Sequence, residues 1–91
     1  MMKFEWDENK RLTNLEKHGL DFRYVDEVFE DVHVTIDANQ KGDERRYLVI
    51  GKLDSKFVTV IYTPRGDKYR IISMRRSRNG EKRKYHELYG N

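Results

Sequence analysis

The sequence predicts one small α+β domain over residues 1–91, an antiparallel β-meander of about four to five strands packed with two N-terminal helices and one C-terminal helix. Three observations lead there. Apolar residues recur at helical spacing through residues 8–30, and four strand-like runs joined by short polar links fill residues 32–75. A charged segment carrying Tyr85, Leu88 and Tyr89 then closes the chain as a helix. Helical and extended blocks segregated in this way favour helices on an antiparallel sheet over alternating βαβ units.

The opening "KFEW" (3–6) alternates Lys3 and Glu5 with Phe4 and Trp6, the period of a short half-buried strand. Asp7 is placed to cap a helix, and Glu8 in the first turn complements its dipole. That helix is predicted over Glu8–His18, with Leu12 and Leu15 as a narrow apolar stripe. "KHGL" ends it: Gly19 suits the left-handed position after the last turn, and Lys17 and His18 sit by the free carbonyls. Asp21 caps a second helix, in which Phe22, Val25, Val28 and Phe29 share one face and form core. The strands are "VHVTI" (32–36), "RRYLVIGKL" (45–53), "KFVTVIYT" (56–63) and "YRIISMR" (69–75). Their links, "DANQKGDE", "DS" and "PRGDK", are short, so successive strands pair antiparallel. The tail "NGEKRKYHELYG" (79–90) is the last helix. An antiparallel sheet can leave one face open, which here takes His33 and Thr35. Arg75 and Arg76, adjacent in an extended segment, project to opposite sides, so one of the two reaches that face.

Charged residues make up 38% of the chain, against roughly 25% in an average domain, and the core is correspondingly thin. Eleven aromatics from Phe4 to Tyr89 still supply large buried areas. A folded domain of limited stability is expected, which leaves room for a stabilising partner. With no cysteine, neither disulfides nor thiolate metal sites are available. No apolar run reaches the ~20 residues of a bilayer span, and the N-terminus lacks a signal-peptide apolar region, so the expected setting is cytoplasmic and away from membrane. The net charge of +3 hides a division: residues 1–44 carry −6 and residues 45–91 carry +9. The cations concentrate in "RIISMRRSRNGEKRKYHE" (70–87), a basic surface suited to phosphates beside an acidic remainder.

The three histidines lie 15 and 53 residues apart, with no HExxH, paired-Asp or Cys/His cluster, which argues against metal hydrolysis. Neither GxGxxG nor GxxxxGK[ST] occurs, and no serine sits in a nucleophile elbow. What is abundant is Arg, Lys and Tyr with a few His. That set suits attack of an RNA 2′-hydroxyl on its own neighbouring phosphate. The reaction needs a base, an acid for the leaving 5′-oxygen, and cations for the charge growing on the phosphoryl oxygens, without metal or other cofactor.

The stretches "KFEWDENKRLTNLEKHGLDF", "ERRYLVIG" and "VIYTPRGDKYRIISMRRSRNGEKRKY" resemble the BrnT family of bacterial type II toxins over nearly the whole chain, most specifically in the "WDE…N…KHG…F" opening and the "R-IIS-R" strand. The chain departs from the family pattern at Pro64, where glutamate is frequent ahead of Arg65 and Gly66. The resemblance implies a RelE-like fold and a metal-independent endoribonuclease that halts translation. It also implies a cognate, BrnA-like antitoxin with a DNA-binding half, the complex repressing its own operator DNA.

Arg75, on the family strand at the edge of the basic segment, is the first candidate for phosphate stabilisation. Arg70 on the same strand and Arg65 in the following turn are further candidates, with solubilisation of the sheet as their alternative role. Arg46 enters from "ERRY", where Arg45 points the other way, and Arg76 joins as a substrate contact. Lys17 and His18 come from the KHG motif; helix termination explains them too, while His18 is suited to proton transfer near neutral pH. Tyr62 either stacks on a splayed base, transfers a proton, or packs with its ring buried and its hydroxyl wet. The run at 82–84 is expected to be an electrostatic guide for RNA or a solvated helix face rather than part of catalysis, His33 to contact a partner or solvent, and His86 to be a solvated helix residue. A non-catalytic nucleic-acid-binding module is the alternative function, and a domain for a strongly acidic protein partner the second. For the toxin reading, the antitoxin is expected to cover the basic face.

Overall fold

Local signals set most element boundaries. The computed structural model describes residues 2–38 and 42–90. They form β1 (Lys3–Trp6), α1 (Glu8–His18), a 3₁₀ turn (Phe22–Tyr24), α2 (Val25–Glu30), β2 (Val34–Asp37), β3 (Tyr47–Leu53), β4 (Lys56–Arg65), β5 (Lys68–Arg76) and α3 (Asn79–Tyr89). Asp7 caps α1 through its carboxylate, which accepts from the N–H groups of Asn9 and Lys10. Gly19 ends the helix at φ 69°, where a side chain is disfavoured. Asp21 caps the 3₁₀ turn rather than an α-helix, so the expected second helix is split, with only six residues in α2.

β2 to β5 form the expected antiparallel meander, the β3–β4 link turning through Asp54 and Ser55 at φ 51° and 66°. The full order is β1-β5-β4-β3-β2, and β1 pairs with β5 parallel, Phe4 opposite Tyr69 and Trp6 opposite Ile71. The sheet is therefore mixed, which corrects the all-antiparallel expectation. Parallel neighbours need a long connection, and here the whole intervening chain serves as one. No local pattern in "KFEW" records that pairing.

The helices also divide differently from the expected packing. Val49 joins Phe22, Val25, Val28, Val58, Val60 and Met74 in one core, covered by the 3₁₀ turn and α2. Its neighbour Ile50 points the other way, into a second small cluster with Val34 and Tyr85 of α3. The face expected to be open, that of Thr35, is instead the α2 side, since Thr35 lies opposite core Val49. The face of Val34 and Ile36 is covered by α3 over β2 and β3 and left open over β4 and β5. Gly51 lets α2 approach closely, since a Cβ there would meet Val28 Cγ1 at 2.9 Å.

α1 docks without the predicted leucine stripe. Leu12 is half-exposed, and the buried residue of α1 is Asn14. β1 ends opposite Ile71, and beyond it the Asn14 amide takes the place of the missing strand. Its Nδ2 donates to Met74 O at 2.8 Å and its Oδ1 accepts from Met74 N at 3.1 Å. Arg11 adds an ion pair to buried Asp21, which also holds Arg23. The Arg23 guanidinium, acting against burial and with help from Arg11, brings the Asp21 carboxyl down to about 2. His33 does not lie on the open sheet face: it precedes β2 and packs its ring on Phe29 with centroids 5.5 Å apart. His86 is half-buried, its ring against Phe57, rather than solvated.

Candidate nucleic-acid interface

The part of the sheet left open between α3 and α1 is a shallow trough. Strand alternation puts Leu48 of β3, Ile61 of β4 and Ser73 of β5 side by side as its half-buried floor. At one end the row Thr63, Arg70 and Glu5 crosses the strands, since Arg70 lies opposite both Thr63 and Glu5. Glu5 Oε2 accepts from Arg70 at 2.8 Å, and Arg65 and Lys68 lie at 4.0 and 3.9 Å from the same carboxylate. Three cations thus share one acid. Arg46 directly precedes β3 and is held by Glu44 at 3.2 Å.

At the other end stands Arg75, opposite Thr59. Of the adjacent pair it is Arg75 that reaches the open face, while exposed Arg76 lies opposite core Val58 and so points to the other side. Arg75 makes a bidentate ion pair with Glu81 in the first turn of α3, at 2.9 and 2.8 Å, both side chains 14% exposed. Glu81 also accepts from Thr59 Oγ1 at 2.9 Å and from the N–H of Arg78 at 2.8 Å, which caps α3. Burial pushes the Glu81 carboxyl up, but the hydrogen bonds from Arg75, Arg78 and Thr59 outweigh it and bring it down to about 2. The Arg75 donors used are on Nη1 and Nη2, with Nη1 also reaching Arg76 O. The Nε edge remains for a further acceptor.

The long sides of the trough are basic. α1 contributes Lys10, Thr13, Lys17 and His18 to a groove of about 370 Å³ against Ile72 and Ser73. α3 and the residue that precedes it contribute Arg78, Arg83 and Lys84, with Glu81 and Glu87, to another of about 540 Å³ over Ile36 and Leu48. Arg75, Arg70, Arg65, Lys17 and His18 therefore border one surface. Tyr62 does not: it is buried on the helix-covered face, stacked on Tyr69 at 4.6 Å and Tyr47 at 5.4 Å. Burial, with those two neighbouring phenols, pushes its hydroxyl up to about 12. Both faces of its ring are occupied by protein.

Sequence reasoning passed over Glu5, Lys10 and Glu81. For Glu81 a signal existed, because a glutamate three residues after the residue preceding a helix is the reciprocal half of a capping box. Glu5 carried no such signal, since its partners are 60 or more residues away and set by the β1–β5 pairing. Among the described residues no group of His, Cys, Asp and Glu side chains is arranged to hold a metal ion, and no helix is long and apolar enough to cross a membrane.

Compared with known protein families, residues 6–81 match the model of a family described as the ribonuclease toxin, BrnT, of type II toxin-antitoxin systems. No curated protein matches the chain.

Proposed function

The chain belongs to the BrnT family of ribonuclease toxins of type II toxin–antitoxin systems, and from that premise we propose that it is a metal-independent endoribonuclease which holds single-stranded RNA along the trough and halts translation until a cognate antitoxin binds it. One observation supports this most: cations from β5, α1 and the start of α3 converge on a half-buried polar and aliphatic floor, on a stretch of sheet that no helix covers among the described residues. A BrnA-like, DNA-binding antitoxin and repression of operator DNA by the complex belong to the same reading.

In the proposed reaction the 2′-oxygen forms a bond to the adjacent phosphorus and the bond from phosphorus to the 5′-oxygen breaks. The 2′-hydroxyl proton goes to a base, and a second proton goes to the leaving oxygen, giving a 2′,3′-cyclic phosphate and a 5′-hydroxyl. Arg75, held by Glu81 with its Nε edge free, is positioned to donate to the phosphoryl oxygens as their charge grows. His18, lining the groove beside Ser73, is the proton carrier of this reading, with Lys17 adding charge. Arg70, Arg65 and Arg46 hold flanking phosphates.

The test is cleavage of a labelled single-stranded RNA in EDTA by the native chain, by Arg75→Lys and by His18→Asn. Lysine keeps a positive charge beside Glu81 but loses the bidentate fork. Expected are cyclic-phosphate ends from the native chain and cleavage lowered ~10²-fold or more in Arg75→Lys. A requirement for added metal, or products without cyclic phosphate, refutes the mechanism. RNA binding with no cleavage at all makes the chain a binding module or an enzyme that needs the ribosome.

A further inference from the structure

At the far side of β1 from the trough, an apolar groove of about 530 Å³ lies open between β1 and α2. Met2, Phe4, Trp6, Val25 and Phe29 line it, Asp26 and Glu30 stand on its α2 rim, and Arg23, already held by Asp21, also borders it. Met2 is 46% exposed there. β1 is the terminal strand of the sheet, so among the described residues its outer backbone edge has no strand beside it. An unpaired edge next to an apolar slot is the setting in which an extended peptide adds as a further strand, main-chain bonds supplying affinity and alternate side chains entering the slot.

The charge on this side is unbalanced. Asp26, Glu27 and Glu30 on α2 have no cationic partner among the described residues, whereas Glu5, Glu44 and Glu81 each hold an arginine. Glu30 and Asp31 also sit at the carbonyl end of α2, with no basic residue in that last turn. Acid there opposes the helix dipole, an arrangement that an incoming cation relieves.

Resting on the toxin–antitoxin reading above, we propose that this groove is the antitoxin's docking site. The segment it takes is extended, adds to the β1 edge, places apolar side chains against Phe4 and Trp6, and carries lysine or arginine to meet Asp26 and Glu30. The basic trough is then not the primary seat of the antitoxin, contrary to what charge along the sequence suggests.

The test uses the full chain and its co-produced antitoxin, with affinity read by calorimetry at two salt concentrations and amide exchange read over residues 2–6. The variants are Asp26→Lys with Glu30→Lys, and, on the trough, Arg83→Glu with Lys84→Glu. Both pairs change exposed side chains, and the melting curve of each free variant checks the fold. The α2 pair is expected to weaken antitoxin binding at least ~10-fold and flatten its salt dependence, while the trough pair changes it by less than ~3-fold. Exchange over residues 2–6 is expected to slow in the complex. The reverse ranking of the two pairs, or unchanged exchange over residues 2–6, overturns the docking site alone. An antitoxin that fails to bind the native chain overturns the toxin–antitoxin reading with it.

Discussion

The two sides of one five-stranded sheet are built from different chemistry. On the trough, cations outnumber acids, and Glu5 and Glu81 each hold an arginine. On the α2 side the balance reverses, and Asp26, Glu27 and Glu30 of one short helix make no ion pair among the described residues. A formal net charge of +3 is therefore the small remainder of two opposed surfaces. The lesson is that net charge predicts little about partners, whereas its distribution over faces separates the surface for phosphates from one suited to a cationic protein.

The sharpest way to break this comparison is activity. Arg75→Lys is expected to lower RNA cleavage by ~10²–10³-fold, while Glu16→Lys, an exposed change on α1 away from the trough, leaves it unchanged. Initial rates on one labelled RNA compare them directly; an Arg75→Lys chain as active as the native one would mean that positive charge suffices and the arginine fork does not matter.

The next effect is on stability. Arg75→Ala leaves Glu81 and its hydrogen-bonded partners without their cation, an expected loss on the order of 3 kcal/mol. Arg70→Ala, whose pair with Glu5 is more exposed, is expected to cost under about 1 kcal/mol. Urea melts separate the two. Asn14→Ala comes next, with about 2 kcal/mol lost as Met74 loses both backbone partners, while Leu12→Ala changes stability by less than about 0.5 kcal/mol. A larger loss from Leu12 would restore the leucine stripe as the docking face of α1.

Acidity gives a further contrast. Both Glu81 and Asp21 are held at about 2 in the folded chain, below their ordinary 4.5 and 3.8. A depressed carboxyl binds its proton more readily when unfolded, so its stabilisation is full above the ordinary value and is lost as pH falls from there toward 2. The melting temperature is expected to drop over that window, and Glu81→Gln and Asp21→Asn to flatten the drop. The smallest effects are single lysines on the trough walls. Lys17→Ala and Lys84→Ala are each expected to weaken RNA binding a few-fold and reduce the slope of log K against log salt by about 1.

Much of the fold was legible where neighbours in sequence are neighbours in space. The Asp7 and Gly19 caps, the apolar face of Phe22, Val25, Val28 and Phe29, and the β2–β5 meander all follow from spacings within about ten residues. The leucine stripe failed because α1 docks through polar groups, and hydrophobic periodicity cannot report an amide that substitutes for a strand. His33 was misplaced because β2 begins two residues later than the valine alternation implies. For the site, the residue types were legible and their grouping was not. Arg75 and Glu81 are six apart, but Arg70 and Glu5 are 65 apart and meet only through the parallel edge strand.

By itself the sequence determined the chemistry on offer: a cation-rich half without cysteine or metal-ligand spacing, local caps and turns, and a meander able to present one face. Only the tertiary structure decided which arginine of the 75/76 pair reaches that face, that Tyr62 belongs to the core, and that acid and base collect on opposite sides. The physical reason is that side-chain alternation specifies opposite faces but not which face is covered. That choice falls to long-range packing, where α2 meets β3, α3 crosses the far side, and β1 closes the edge.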